Sequence, residues 1–200
     1  MHKVKTIVSA SAIGWYGPDK VPGHFFTENE KADESFLGQT CLLWEQSIEE
    51  AATLGIRVCT LRTGIVLSEK GGALEEFKKP LKFGIAAILG SGTQVVSWIH
   101  IEDLCRMYAY AVEHAEISGS YNAVAPQPVT NTMLTLTLAK RVRKNFFIPM
   151  HVPSFVLKIM MGERSIEVLK STTVSCEKIK RAGFTFLYPS VDAAIEELID

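Results

Sequence analysis

The stretch Lys5–Gly17, KTIVSASAIGWYG, is the starting point for the architecture of this chain of 200 residues. It opens with the apolar run Thr6–Val8, continues into small residues and turns on Gly14 and Gly17. In α/β proteins the loops at the carboxyl ends of parallel strands leave the core while the strands hold them in place, so binding groups gather there. Ser11 is therefore a candidate site residue, although serine also favours strand ends for purely local reasons.

Segments with strand-like and helix-like patterns alternate along the rest of the chain. Apolar residues at three- and four-residue spacing predict helices, and short β-branched runs predict buried strands. The predicted strands cover residues 6–8, 56–61, 65–67, 95–101, 119–125 and 146–148, and the predicted helices cover residues 37–54, 72–79, 102–114, 131–143, 154–161, 165–169, 175–182 and 191–199. The polar loop between the first strand and the first helix is long, and long loops inside a compact domain usually have a function. This order predicts an α/β fold with a parallel sheet.

Composition and charge indicate to which broad class of protein the chain belongs. Hydrophobic residues make up 47% of the chain, charged residues 22%, and the net charge is −1, which is ordinary for a globular domain. We expect no nucleic-acid partner, because no basic patch stands out, and no membrane span, because no apolar run reaches roughly 18 residues. The cysteines are widely spaced, without metal-ligand spacing, and predict reduced thiols in a cytoplasmic protein with no metal site.

The sequence contains no G-x-G-x-x-G turn of the kind that holds a dinucleotide pyrophosphate. Gly90-Ser91-Gly92 lacks the third glycine and a strong preceding strand, and Gly71-Gly72 fits no better. The residues alone therefore predict part of a doubly wound domain without its phosphate-binding loop.

The segment Ser9–Gly17 resembles the strand-end motif of the extended short-chain dehydrogenases/reductases, the NAD-dependent epimerase/dehydratase group. The similarity continues in order through LRTGIVL at 61–67, GSGTQ at 90–94, SWIHIEDL at 97–104, YNAV at 121–124 and VTN at 129–131. These variants are most similar to the nucleoside-diphosphate-sugar epimerase-like subfamily. The resemblance implies the C-terminal half of a Rossmann-like, doubly wound parallel sheet in residues 1–146, and a small helical region in residues 147–200.

The resemblance also implies an NAD(P)-dependent oxidoreductase or epimerase with a small-molecule substrate and NADP or NAD as cofactor. A serine at the position of Ser11 holds a substrate oxygen in that group. The implied cofactor contacts are Ser9, Leu37, Glu45, Arg62, Thr63 and Gly64. The candidate substrate contacts are Trp98, His100 and Asn122.

One departure from the group affects the chemistry directly. The group carries Tyr-x-x-x-Lys on one helical face, whereas this chain reads Cys41-Leu42-Leu43-Trp44-Glu45. A carboxylate does not lower the pKa of a neighbouring acid as an ammonium does, and a thiol beside it is a poor thiolate. Tyr16 and Cys41 are the remaining candidates for the acid/base, and a packing role stays open for each.

Structural roles stay open for several other candidates. Arg62 either binds a phosphate or carboxylate of a ligand or pairs with an acidic neighbour such as Asp103. His100 either contacts substrate or caps a helix, and Trp98 either stacks on a flat ligand or packs in the core. Asn122 either contacts a ligand or satisfies backbone groups near the end of the sheet.

Two further hypotheses follow from the altered Tyr-x-x-x-Lys pair and the missing glycine-rich half. In the first, the protein binds a dinucleotide as a sensor or assembly factor and does not turn over a substrate. In the second, it is a truncated, inactive fragment. A first strand without its sheet neighbour exposes an apolar edge, and such edges pair with other chains. We therefore expect self-association into a homo-oligomer, by edge pairing or domain exchange.

Overall fold

The computed structural model describes residues 3–199, apart from the side chain of Arg164. The strands are β1 (Thr6–Ala12), β2 (Arg57–Thr63), β3 (Ile65–Leu67), β4 (Ile85–Leu89), β5 (Val95–Val96), β6 (Trp98–His100), β7 (Gly119–Ala123), β8 (Val129–Thr130) and β9 (Ile148–Val152). The helices are α1 (Phe36–Glu49), α2 (Ala73–Leu81), α3 (Ile101–Glu113), α4 (Asn131–Arg143), α5 (Ser154–Met161), α6 (Ser165–Leu169), α7 (Glu177–Arg181) and α8 (Val191–Leu198). Alternating strands and helices confirm the predicted α/β class.

The central sheet is parallel and has the order β1-β2-β7. Its register places Ser11 beside Arg62, and Arg62 beside Asn122. Three smaller pairs surround it: β3 with β6 and β4 with β9 in parallel, and β5 with β8 antiparallel. Among the described residues, β1 pairs with β2 alone, so its other edge is open.

The two faces of the central sheet differ in chemistry, because successive strand residues point to opposite faces. One face carries Ser9, Ser11, Thr60, Arg62, Ser120 and Asn122 and lies under α1, where Glu45 accepts hydrogen bonds from three of them. The opposite face carries Leu61 and Thr63 and lies against α3, whose Met107 is buried in the same cluster as Leu61. The helices therefore cover both faces, as in a doubly wound sheet.

The C-terminal segment completes both hydrophobic cores. Val174, Cys176 and Ile179 are buried in the same cluster as Leu61 and Met107 of the central layers. The last helix, α8, buries its apolar face against Leu134 and Leu138 of α4 in the second cluster.

Several predicted elements differ from the observed ones, and β4 and β8 are absent from the prediction. The strand predicted over 6–8 continues to Ala12, so Ser11 lies inside β1. The strand predicted over 95–101 divides at Ser97 into β5 and β6, because its two parts pair with different strands. The strand predicted over 146–148 lies at Ile148–Val152, where the edge position beside β4 tolerates Pro149. The helix predicted over 37–54 changes to a 3-10 turn after Glu49.

Candidate functional site

A cavity of about 400 Å³ opens at the carboxyl ends of β1 and β2, the position where α/β sheets bind ligands. We call it the strand-end cavity. One side, the strand side, is formed by Ala12, Ile13, Gly14, Leu37, Cys41, Thr63 and Gly64. The other, the helix side, includes Phe77, Leu89, Val95, Asn131, Val168 and Lys170. The volume lies within the roughly 300–1,000 Å³ of small-molecule sites.

Gly64 allows the close approach that shapes this cavity. A Cβ atom at Gly64 would lie 2.5 Å from the carbonyl oxygen of Ser97 and 2.8 Å from Cγ1 of Val124. Those distances are too short for non-bonded atoms, so the turn after β2 requires glycine to pack against the segment between β5 and β6. The same packing brings Thr63 and Ser97 to one cavity wall.

Beside the cavity, under α1, a buried carboxylate collects hydrogen bonds from the polar sheet face. Arg62 donates from Nε to Oε1 and from NH2 to Oε2 of Glu45, both at 2.9 Å. Ser11 Oγ donates to Oε1 at 2.7 Å, and Ser120 Oγ donates to Oε2 at 3.0 Å. Burial alone would lower the pKa of Arg62, but its bonds to Glu45 and Tyr16 hold it above its usual value. The open question on Arg62 is thus answered: its carboxylate partner is Glu45, while Asp103 pairs with Arg106.

Tyr16 extends this network and is fully enclosed. Its hydroxyl donates to Oδ1 of Asn122 at 2.8 Å and accepts from NH1 of Arg62 at 3.0 Å. Burial raises its pKa to about 12, against the lowering effect of Arg62. Asn122 is itself hydrogen-bonded to other residues: its Nδ2 donates to the carbonyl of Ser175, and its backbone N–H donates to Glu28. At neutral pH Tyr16 is therefore a protonated structural donor.

Cys41 is the candidate acid/base residue that lines the cavity. Its Sγ lies 3.7 Å from the carbonyl oxygen of Ala12, and burial raises the pKa of its thiol. The neutral thiol is therefore the form present at pH 7, which suits contact with an apolar ring better than proton transfer.

The structure places the sequence-predicted residues in three locations. Leu37, Cys41, Thr63 and Gly64 line the cavity. The buried network beside it joins Ser11, Tyr16, Glu45, Arg62 and Asn122, while the Ser9 hydroxyl donates to the carbonyl of the adjacent Ala10.

The other two candidates lie in the core, away from the residues that line the cavity. Trp98 is fully buried and donates from Nε1 to the carbonyl of Gln127. His100 is the N-cap of α3: its Nδ1 accepts from the backbone N–H of Glu102, and its Nε2 lies 2.8 Å from Glu197.

Sequence reasoning missed the helix side of the cavity. Asn131 carries no signal beyond its place at the start of a predicted helix, and Phe77 and Val168 match ordinary helix positions. These residues meet the strand ends only through the packing of α2, α4 and α6 around β5.

The strand side is mostly apolar, with glycine at positions 14 and 64 beside Leu37 and Thr63. The basic residue on the wall, Lys170, is already paired with Glu167 at 2.7 Å. Among the described residues that line the cavity, no lysine or arginine is therefore without an acidic partner. In the whole part of the chain that the structure describes, no helix is long and apolar enough to cross a membrane, and no cluster of three or more His, Cys, Asp or Glu side chains is arranged to hold a metal ion.

Comparison with known families gives two matches. Residues 1–124 match the NAD dependent epimerase/dehydratase family, and residues 152–198 match a family described as Domain of unknown function (DUF1731). Epimerase family protein YfhF of Bacillus subtilis (strain 168) is 38% identical over 198 residues, covering 99% of this chain and 64% of the relative. The chain spans 62–66% of the length of such relatives.

Two solved structures share the fold over nearly the whole chain. Human epimerase family protein SDR39U1 (isoform 2), solved with NADPH, has a TM-score of 0.86 and 28% identity, covering 98% of this chain and 65% of its own. The nucleoside-diphosphate sugar epimerase of Corynebacterium glutamicum has a TM-score of 0.77 and 32% identity, covering 98% of this chain and 37% of its own. These neighbours confirm the Rossmann-like α/β fold.

Proposed function

Because the chain belongs to the NAD dependent epimerase/dehydratase family, we propose that it binds the nicotinamide end of NADP or NAD in the strand-end cavity. The observation that carries the proposal is the apolar strand side of that cavity, at the carboxyl ends of two parallel strands. The human relative solved with NADPH supports a nicotinamide dinucleotide as the ligand.

The residues of the strand side have separate tasks in this proposal. Ile13 and Leu37 cover the ring and exclude water, and Gly14 and Gly64 leave it room. The Thr63 hydroxyl, which donates to the carbonyl of Leu61, keeps an acceptor lone pair for a carboxamide N–H. The dinucleotide, when bound, supplies or accepts a hydride at this ring.

We propose binding without the proton relay that Tyr-x-x-x-Lys performs in the group. The Ser11 proton is donated to Glu45, the Tyr16 proton is donated to Asn122, and neither residue lines the cavity. A general acid must be within hydrogen-bond reach of the reacting atom. The function that this arrangement supports best is therefore dinucleotide binding, with oxidoreductase or epimerase turnover as the second outcome of the test.

The test is a fluorescence titration of the 200-residue chain with NADPH and NADH. We expect saturable binding, reduced at least tenfold by Leu37→Asp because the charge enters an apolar wall. Leu43→Asp is the matched control, since Leu43 lies on the same helix but is exposed to solvent. Absence of binding by a sample that melts cooperatively would refute the proposal. Steady NADPH consumption with a carbonyl compound would contradict the proposal that the protein binds the dinucleotide without a proton relay.

For partners, we propose that the open edge of β1 pairs with a second copy of the chain. The strand has seven residues with no charge and no proline. It therefore lacks the residues that keep exposed sheet edges from pairing with other chains. Light scattering is expected to show a dimer or larger species. Ala10→Lys should shift the sample toward monomer, and Ser47→Lys, on exposed α1 surface, should not. A monomeric wild-type chain would refute this proposal.

A further inference from the structure

The helix side of the strand-end cavity presents an amide nitrogen that makes no hydrogen bond with any described residue. Asn131 is 1% exposed and lines the cavity. Its Oδ1 accepts a hydrogen bond from the backbone N–H of Leu89 at 2.9 Å. Among the described residues, no hydrogen bond uses its Nδ2 group. Polar groups that a fold encloses normally have a partner, so a donor that opens onto a cavity without one is available to a ligand.

The orientation of this amide follows from its neighbours. The atom that faces the Leu89 N–H must be an acceptor, so it is the oxygen, and Nδ2 carries the two free donors. The turn that holds it is rigid: the backbone N–H of Asn131 donates to the carbonyl of Gln94, and Gln94 Nε2 bridges the carbonyls of Leu89 and Val168. The unused donors are therefore held at a defined place in the wall.

The surroundings of Nδ2 restrict the ligand. Phe77, Leu89, Val95 and Val168 make this side predominantly apolar. The charged pair on the wall, Glu167 with Lys170, satisfies itself. A phosphate or a polyhydroxylated sugar would lose its hydrating water here and find too few hydrogen-bond partners in the wall. A ligand that is apolar apart from one acceptor atom needs only one donor, which the amide group supplies.

We propose that Asn131 is the specificity-determining residue of the strand-end cavity, and that its Nδ2 donates to the carbonyl oxygen of a predominantly apolar aldehyde or ketone. The inference rests on the proposed function, because it seats the carbonyl beside the wall assigned to the nicotinamide ring. It selects apolar carbonyl compounds over nucleotide sugars as the ligand class.

The experiment compares two probes that differ only in the acceptor. Dissociation constants of acetophenone and ethylbenzene are measured by ligand-observed NMR on the full 200-residue chain, with UDP-glucose as a polar probe. One hydrogen bond to a neutral amide predicts that acetophenone binds roughly threefold to tenfold more tightly than ethylbenzene. Asn131→Asp keeps an oxygen for the Leu89 N–H and removes the donors, so it should reduce this ratio to about one.

Thr135→Val is the control variant. It removes a buried hydroxyl from the same helix, away from the residues that line the cavity, and should leave the ratio unchanged. A ratio that persists in Asn131→Asp, tighter binding of UDP-glucose than of acetophenone, or no binding of either aromatic probe would each overturn the proposal. Absent NADPH binding with the ratio intact would refute the proposed function while leaving Asn131 as a carbonyl donor.

Discussion

The Glu45 carboxylate and the Arg62 guanidinium form a two-point ion pair, with both N–O distances at 2.9 Å and both side chains less than one-tenth exposed. Glu45 stands at the position that the resemblance to the epimerase/dehydratase group assigns to the lysine of Tyr-x-x-x-Lys. The pair joins α1 to the central sheet, because Glu45 belongs to the helix and Arg62 to β2. The position therefore has a structural task in this chain.

Glu45→Gln should destabilise the protein by about 3 kcal/mol, because it leaves a buried guanidinium without a counter-charge. Arg62→Met should cost a similar amount by leaving the carboxylate unpaired. The double variant should lose less than the sum of the two, with a coupling of about 2 kcal/mol. Urea denaturation of all four proteins measures this cycle. Glu49→Gln, one turn later and exposed, should change stability by less than about 0.5 kcal/mol. Additive losses would show that the pair contributes nothing as a pair.

Restoring the familiar motif by Cys41→Tyr with Glu45→Lys should destabilise the chain and leave it without turnover. The introduced ammonium would face the buried Arg62 guanidinium, and like charges in a buried site repel strongly. Adding Arg62→Glu returns one charge of each sign to the site and should recover much of the lost thermal stability. Differential scanning fluorimetry of the double and triple variants tests this order. A double variant as stable as the wild type would contradict it.

Tyr16 makes stability depend on alkaline pH. Its pKa is about 12 in the folded protein because the hydroxyl is buried, against about 10 in an unfolded chain. The folded state therefore holds the proton more tightly. The stabilisation is complete below pH 10 and is lost as pH rises toward 12, with a slope of up to about 1.4 kcal/mol per pH unit. Urea denaturation across pH 9–12 should show this decline, and Tyr16→Phe should flatten its part between pH 10 and 12. Parallel profiles for the two proteins would argue against the buried, protonated hydroxyl.

Gly38→Ala should destabilise the protein, although alanine is the better helix former by roughly 1 kcal/mol. A Cβ at Gly38 would overlap the backbone carbonyl of Asp33, which the preceding loop folds against the start of α1. We expect a loss of at least about 1 kcal/mol in thermal or urea denaturation. Ser47→Ala is the matched control, because Ser47 lies on the exposed face of the same helix. A Gly38→Ala variant more stable than the wild type would show that the loop can move aside.

Local patterns in the sequence predicted most of the fold. The ordered motifs from Ser9–Gly17 to residues 129–131 indicated the family, which the match over residues 1–124 confirms. The boundaries that failed lie where tertiary pairing overrides local propensity: Ser97 divides one predicted strand, and Pro149 lies inside β9, beyond the strand predicted over 146–148. Neither partner strand is visible from the local residues.

The alternation of strand-like and helix-like segments along the chain was enough to predict a parallel α/β sheet, with a candidate ligand site at its strand ends. Hydrophobic periodicity reports only which side of an element is buried, and not against what. The choice of Glu45 as partner of Arg62, the enclosure of Tyr16 and the unused donors of Asn131 are decided by residues from 17 to 106 positions apart or by helices packed across the sheet. Long-range packing therefore settles which polar residues bind one another and which face the cavity.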